Sequence, residues 1–328
     1  MNFNLAGLIK AAVLNGTPLL FGTSGEILTQ KSGNMNLGVE GLMFMGGAFG
    51  LAGAFWYDQL AGASASGFLA VVIALLCSFL AGVFGALIFS FLTISLRANQ
   101  NVTGLALTIF GTGLGQFVGE QLRLKVGGNI SISNALKGSF ANPILPKGLQ
   151  EIPFLGQVLF SYNGFVYLGI AMAIVMSVFL NRTRRGLYLK AVGESPSTAD
   201  AAGINVTKYK YIATCLGGGI SAIGGMVYTM TIAGTVWNHT ALSGEGWVAV
   251  ALVIFCLWKP LNAIWGSILF GGLMIMYLRV PVSFIPSQIY KVLPYIVTAI
   301  VLIIVSLRQK REDQPPASLG LPYFREER

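Results

Sequence analysis

The stretch that decides the fold is Gly67-Phe-Leu-Ala-Val-Val-Ile-Ala-Leu-Leu-Cys-Ser-Phe-Leu-Ala-Gly-Val-Phe-Gly-Ala-Leu-Ile-Phe-Ser-Phe-Leu-Thr-Ile-Ser-Leu96, a run without a single charged side chain. A helix crosses the hydrocarbon core with about 20 residues, so this run is long enough for a tilted spanning helix or for a helix followed by a re-entrant turn. Charge-free runs recur at 98–119, 152–181 and 211–244. Of the 328 residues 54% are hydrophobic and 10% charged, with mean hydropathy +0.71. Soluble domains carry about 25% charged residues, so the sequence reads as an all-α, polytopic membrane bundle.

Nine spans are expected, near 7–28, 36–57, 67–96, 99–118, 158–180, 210–231, 246–258, 261–280 and 289–307. From Val292 to Leu307 eleven Val, Leu or Ile contribute about −3 to −7 kcal/mol of insertion free energy. The seventh span is too short for a lone lipid-facing helix and reads as a broken or half helix. The N-terminus has no basic n-region and Lys10 interrupts its apolar stretch, so the first segment is expected to be a retained span. Residues 1–307 form the membrane domain, with a cytoplasmic loop at 181–210, and 308–328 form a basic tail.

The net charge of +9 is mainly an orientation signal. Lys31, Arg97, the six basic residues of the 181–210 loop, Lys259 and the five of the tail lie on one side of the nine spans. Lys10, Arg123, Lys125, Lys137, Lys147, Arg279 and Lys291 lie on the other. The positive-inside rule puts the loop and the tail in the cytoplasm and the N-terminus outside. No nucleic-acid partner is expected; membrane lipid is.

Several chemistries are excluded. Cys77, Cys215 and Cys256 are unpatterned and sit in apolar segments, with no disulfide or CxxC framework. His239 is the only histidine and lies in a polar turn, without metal-ligand spacing. Gly111-Thr-Gly-Leu-Gly115 is inside an apolar span and is no dinucleotide loop. No Gly-Lys dipeptide occurs, so there is no Walker A loop. The chain is expected to be no enzyme and to bind no cofactor; ATP, where it drives transport, is hydrolysed by a different chain. The 42 glycines, with Gly46/Gly50 and Gly111/Gly115/Gly119 at GxxxG spacing, point to close helix packing.

Three polar segments carry the functional reading. Residues 25–41 are Gly-rich and place Glu26 and Glu40 at span boundaries, where acidic and amide groups line cavities or helix breaks. Asn99, Gln100 and Asn101 precede an apolar run, where they cap the next helix or hydrogen-bond across the bundle. In the cytoplasmic loop Ser195 suits a helix N-cap, Pro196 the first helical position and Gly203 a left-handed stop. The short helix between them carries Ala199, Ala201 and Ala202, and it needs flanking spans and a docked partner to be stable.

Ser32-Gly-Asn-Met-Asn-Leu-Gly-Val-Glu-Gly41, Arg97-Ala-Asn-Gln-Asn-Val-Thr-Gly-Leu-Ala106, and Arg185-Gly-Leu-Tyr-Leu-Lys-Ala-Val-Gly-Glu194 running into Ala201-Ala-Gly-Ile204 resemble a known family over nearly the whole chain. They are similar to the membrane permeases of ABC-type importers, in the branch with ribose, branched-chain amino-acid and nucleoside systems. The form Asn-Leu-Gly-Val-Glu-Gly points to the nucleoside and simple-sugar subgroup. Ribose-type members begin with an additional span that is not expected here.

The resemblance implies a bacterial cytoplasmic-membrane subunit carrying a nucleoside or related solute, with a simple sugar as alternative. It implies partner ATPase subunits that hydrolyse ATP, a second related permease, and an extracytoplasmic binding protein or lipoprotein. It assigns ATPase coupling to Glu194, Ser195, Ala199, Ala201, Ala202, Gly203 and Ile204. The translocation path is expected at Asn36, Glu40, Asn99, Gln100 and Asn101. Spans 1–4 and 6–9, separated by a single span, would have opposite orientations, as an inverted repeat requires. The competing readings are an ion-coupled carrier, which needs mid-span carboxylates where Glu26, Glu40, Glu120 and Glu245 fall near span ends, and a membrane enzyme, for which no nucleophile or metal constellation exists.

Overall fold

The computed structural model describes residues 5–128, 130–240, 242, 244–279, 292–293, 296–300, 303 and 314–324. Among these residues the regular structure is helical throughout. The elements are α1 (Leu5–Gln30), α2 (Val39–Ala61), α3 (Gly67–Ser90), α4 (Gln100–Val126), α5 (Asn134–Ala141), α6 (Lys147–Gln150), α7 (Gly164–Arg182), α8 (Arg184–Glu194), α9 (Pro196–Ala201), α10 (Val206–Val227), α11 (Glu245–Phe255) and α12 (Pro260–Arg279).

Six described helices are long and apolar enough to cross a membrane: α1, α2 with its continuation to Ser64, α3 with its continuation to Ser95, α4, α7 and α10 with its continuation to Ile232. This is fewer than the nine spans read from the sequence. At 1.5 Å per residue the eleven residues of α11 cover about half a bilayer, as a half helix should. α12 counts among the shorter apolar helices, and the ninth span, at 289–307, falls largely outside the described residues. The span read at 158–180 begins only at Gly164, because Asn163 caps it there, accepting from Val166 N. The stretch 67–96 resolves as α3 followed by a π-turn at Phe91–Ser95.

Packing is organised around α1 and α10. α1 is buried on all sides from Gly16 to Gln30, as the central helix of the bundle, and its polar side chains in that stretch, Glu26 and Gln30 among them, are buried with it. It crosses α10 so closely that a Cβ on Gly25 would overlap the Gly217 carbonyl, and one on Gly217 would come within 2.5 Å of the Gly25 carbonyl. The Gly111/Gly115 stripe of α4 lies on the α2 backbone at Gly41 and Phe44, which is the small-residue packing a membrane bundle relies on. Around this centre the contacts correspond in pairs. α12 lies on α1 as α3 lies on α10, and α11 lies on α1 as α2 lies on α10. The outward faces of α3, α4 and α7 expose Phe68, Leu80, Ile109, Phe117 and Val175.

Candidate functional site: an internal junction and the segment 181–210

After Gln30 the chain turns back into the bundle. Gly33, at φ +86°, supplies the left-handed conformation that ends α1. Lys31, Ser32 and Gly33 still bond back to the last turn of α1, but residues 34–37 donate no helical hydrogen bond, and between packed helices this requires that side chains satisfy the backbone. They do. Glu26 Oε1 accepts from Asn36 N (3.1 Å) and from Gln30 Nε2 (2.8 Å). Gln100 Oε1 accepts from Met35 N (2.6 Å), and Asn36 Oδ1 accepts from Gly38 N (2.8 Å). Thr108 donates to Leu37 O (3.0 Å), and Asn34 Nδ2 donates to Thr214 Oγ1 (2.8 Å).

This segment delivers Glu40 to the start of α2, and there it meets the start of α11. Its two carboxylate oxygens accept from Gly244 N and Gly246 N, each at 2.6 Å. A carboxylate on two free amides at a helix N-terminus is favoured by hydrogen bonding and by the helix dipole. Gly246 has to be glycine, since a Cβ there would overlap the Glu40 backbone. Beside Glu40 stands Glu245, also buried, whose Oε2 has no hydrogen-bond partner. From this point α11 runs parallel to the lower half of α1. Thr23 Oγ1 donates to Ala249 O (3.1 Å), and Trp258 Nε1 to Gln30 Oε1 (2.6 Å).

Two corrections follow. Glu40 and Glu245 do sit at helix N-termini, but those termini are packed inside the bundle instead of opening at its surface. Asn99 and Asn101 do not reach the junction. Asn99 Oδ1 accepts from Asn101 N and Val102 N as the cap of α4, and Asn101 is exposed. Of the amides in that segment only Gln100 points inward. Glu120 and His239 form a separate outer pair, with Nε2 and Oε2 3.0 Å apart, which Arg123 joins at 2.7 Å.

The sequence reading missed the pairing of Glu40 with the α11 terminus. A signal was present: the dipeptides Glu40-Gly41 and Glu245-Gly246 each follow a polar, glycine-containing loop and each open a helix.

The segment 181–210 has the local geometry its residues dictate. Thr183 caps α8, accepting from Gly186 N. Ser195 caps α9 with Pro196 in its first turn, and Gly203 stops it at φ +81°. Within α9 the alanines divide. Ala199 faces inward and packs with Val192 and Val206, so it offers no surface to a partner. Ala201, Ala202 and Gly203 are exposed.

Of the tail read as a separate basic segment at 308–328, the described residues 314–324 lie across this region. Ser318 N and Oγ both donate to Gly193 O (3.1 and 2.5 Å), and Ala317 N donates to Glu194 Oε2 (3.3 Å). Beside it a cavity of about 480 Å³ is lined by Lys31, Lys190, Lys259 and Glu194. Burial holds the Lys31 ammonium below the usual lysine range, the Lys190 charge pushes the same way, and Glu194 opposes both. No group of metal-ligating side chains occurs among the described residues.

Residues 8–306 match the family model described as the permease component of branched-chain amino acid transport systems. The guanosine ABC transporter permease NupQ of Bacillus subtilis is 32% identical over 99% of this chain and 98% of its own length. The nucleoside ABC transporter permease NupC of Lactococcus lactis subsp. cremoris is 30% identical over 90% of each chain. TsgC13 of Haloferax volcanii, named as a candidate glucose ABC transporter permease, is 34% identical over 84% of this chain and 78% of its own.

Proposed function

This chain belongs to the family of permease components of branched-chain amino acid transport systems, and we propose that it is the nucleoside-conducting permease of an ATP-driven importer. The observation that carries the substrate is the end-to-end match to a guanosine permease; the match to TsgC13 keeps a simple sugar as the second reading. The interiors of the spans read from the sequence hold no cationic cluster, which fits an uncharged solute, because a phosphorylated one would need Arg or Lys partners.

In this reading the path passes the junction where α2 and α11 begin. Glu40, Asn36 and Gln100 hold the re-entrant backbone there, and Glu245 has an unused acceptor oxygen. The exposed Ala201, Ala202 and Gly203 receive the ATPase, and Glu194, Ser195, Ala199 and Ile204 hold that segment in place. The paired packing about α1 and α10 supports an inverted repeat, and with it nine crossings, the N-terminus outside and the tail inside. The chain works in the bacterial cytoplasmic membrane with ATPase subunits that hydrolyse ATP, a second related permease and an extracytoplasmic binding protein.

Uptake of labelled guanosine and of labelled glucose, in a strain lacking this chain and in the complemented strain, decides the substrate. Guanosine uptake is expected to be lost and restored. Loss of glucose uptake alone would favour the sugar reading, and loss of neither would refute both.

A further inference from the structure

α9 has six residues and cannot hold itself folded. Covalently it hangs between α8 and α10, and its inward anchor is Ala199. A third support comes from the far end of the chain. Pro316 and Ser318 are buried, and Leu319 packs on the cluster that contains Leu189 and Trp258. Gly320 N donates to Gly33 O (3.1 Å), at the start of the re-entrant segment. Tyr323 packs against Val192, Ala199 and Val206, and its hydroxyl donates to Asp200 Oδ2 of α9 (2.9 Å). The Arg97 guanidinium stands 4.6 Å over the Phe324 ring.

The same eleven residues thus bind the end of α8, the end of α1, α9 and the turn before α4. The joint is tight. A Cβ on Gly33 would come within 2.8 Å of Ser318 Oγ, and one on Gly193 would overlap the Lys31 carbonyl. Between the end of this strap and the turn before α4 lies a groove of about 730 Å³, lined by Ile94, Arg97, Asp200, Gly203, Lys208 and Tyr323.

We propose that residues 314–324 are a positioning strap of the coupling apparatus, tying α9 to the re-entrant segment so that a displacement of α9 reaches residues 31–38 as well as α10. The chain of contacts is continuous: Asp200 to Tyr323, along the strap to Gly320, across to Gly33, and through residues 31–36 to Asn36 and Glu26 beneath the Glu40 junction. Without the strap, α9 moves the bundle through its covalent neighbours alone. The proposal rests on the reading of α9 as the ATPase contact.

The test uses the full importer, with its ATPase, second permease and binding protein, reconstituted in liposomes. It reads ATPase retained on purification, ATP hydrolysed, and labelled guanosine imported per ATP, with labelled glucose as probe if the uptake assay selects it. Truncation after Gln314 is expected to leave the ATPase bound and hydrolysis intact, while import per ATP falls about tenfold, a typical coupling free energy.

Tyr323→Phe and Asp200→Ala, which leave the chain full-length, are each expected to lower import per ATP by about three- to tenfold, the worth of one hydrogen bond. The double variant should fall no further. Asp200→Asn should keep wild-type coupling, because its amide oxygen still accepts the phenol proton. Unchanged import per ATP in the truncated complex, or in both point variants, would overturn the strap. Wild-type retention and import in Ala202→Trp would instead overturn the reading of α9, and that result is independent of the strap variants.

Discussion

The starts of α2 and α11 are built from the same dipeptide, Glu-Gly, and end up in opposite chemical situations. Glu40 spends both oxygens on the amides of the other helix at 2.6 Å. Glu245 is buried next to it with an oxygen that nothing satisfies. The two carboxylates have divided the work: Glu40 closes the junction, and Glu245 is left with acceptor capacity beside it. Buried acceptors without partners are rare, so on the path proposed above Glu245 is the member of the pair with an acceptor to offer a solute.

The most severe way to break this comparison is Gly246→Val. Its Cβ would overlap the Glu40 backbone, and neither helix start can retreat inside the bundle. Loss of the folded protein from the membrane fraction is expected, measured as monodisperse yield after detergent extraction.

Next comes the pair Glu40→Ala and Glu245→Ala. The first leaves the buried Gly246 amide and the part-buried Gly244 amide unpaired, at about 1–3 kcal/mol for a fully buried one. The second removes an unsatisfied acceptor and is expected to be neutral or stabilising. Thermal unfolding in detergent should therefore separate them, with a clear loss of Tm for Glu40→Ala only. Guanosine uptake should fall in both. Equal stability losses would mean that the two carboxylates share the junction.

A smaller effect is expected from Asn99→Ala, which removes the α4 cap and should cost about 1 kcal/mol, with uptake close to normal in a chain that still folds. Loss of uptake without loss of stability would return Asn99 to the path.

The smallest effect concerns Lys31. Its folded-state pKa lies below the unfolded value, so the unfolded chain binds more protons there, and stability rises with pH as the folded ammonium deprotonates. The gain falls in the alkaline window below the usual lysine range. Lys31→Met should flatten that rise, read as Tm against pH.

Much of the membrane architecture was legible because it rests on composition and on local geometry. A charge-free run of apolar residues must be buried in protein or lipid wherever it goes. The half length of α11 followed from counting residues. The caps at Ser195 and Asn99 and the stop at Gly203 depend on groups within four residues of one another, so sequence neighbours suffice to find them. The glycine spacing of α4 announced a close approach, although it did not say to which helix.

What tertiary structure alone decided is everything made across long separations or by backbone. Glu40 caps a helix 204 residues away, and only the return of residues 31–38 into the bundle brings it there. In the sequence that segment reads as a boundary loop, because polar residues at a membrane surface and polar residues that satisfy buried backbone look alike. Ala199, Ala201 and Ala202 have identical side chains, but Ala199 packs inward on Val192 and Val206, Ala201 lies on the opposite face of α9, and Ala202 lies past the end of the helix. The strap is less visible still. Three of its anchors are main-chain amides, at Ala317, Ser318 and Gly320, and two of the groups that receive them are main-chain carbonyls, at Gly193 and Gly33. Every non-proline residue carries such groups, so nothing in the side-chain sequence distinguishes an anchored tail from a free one.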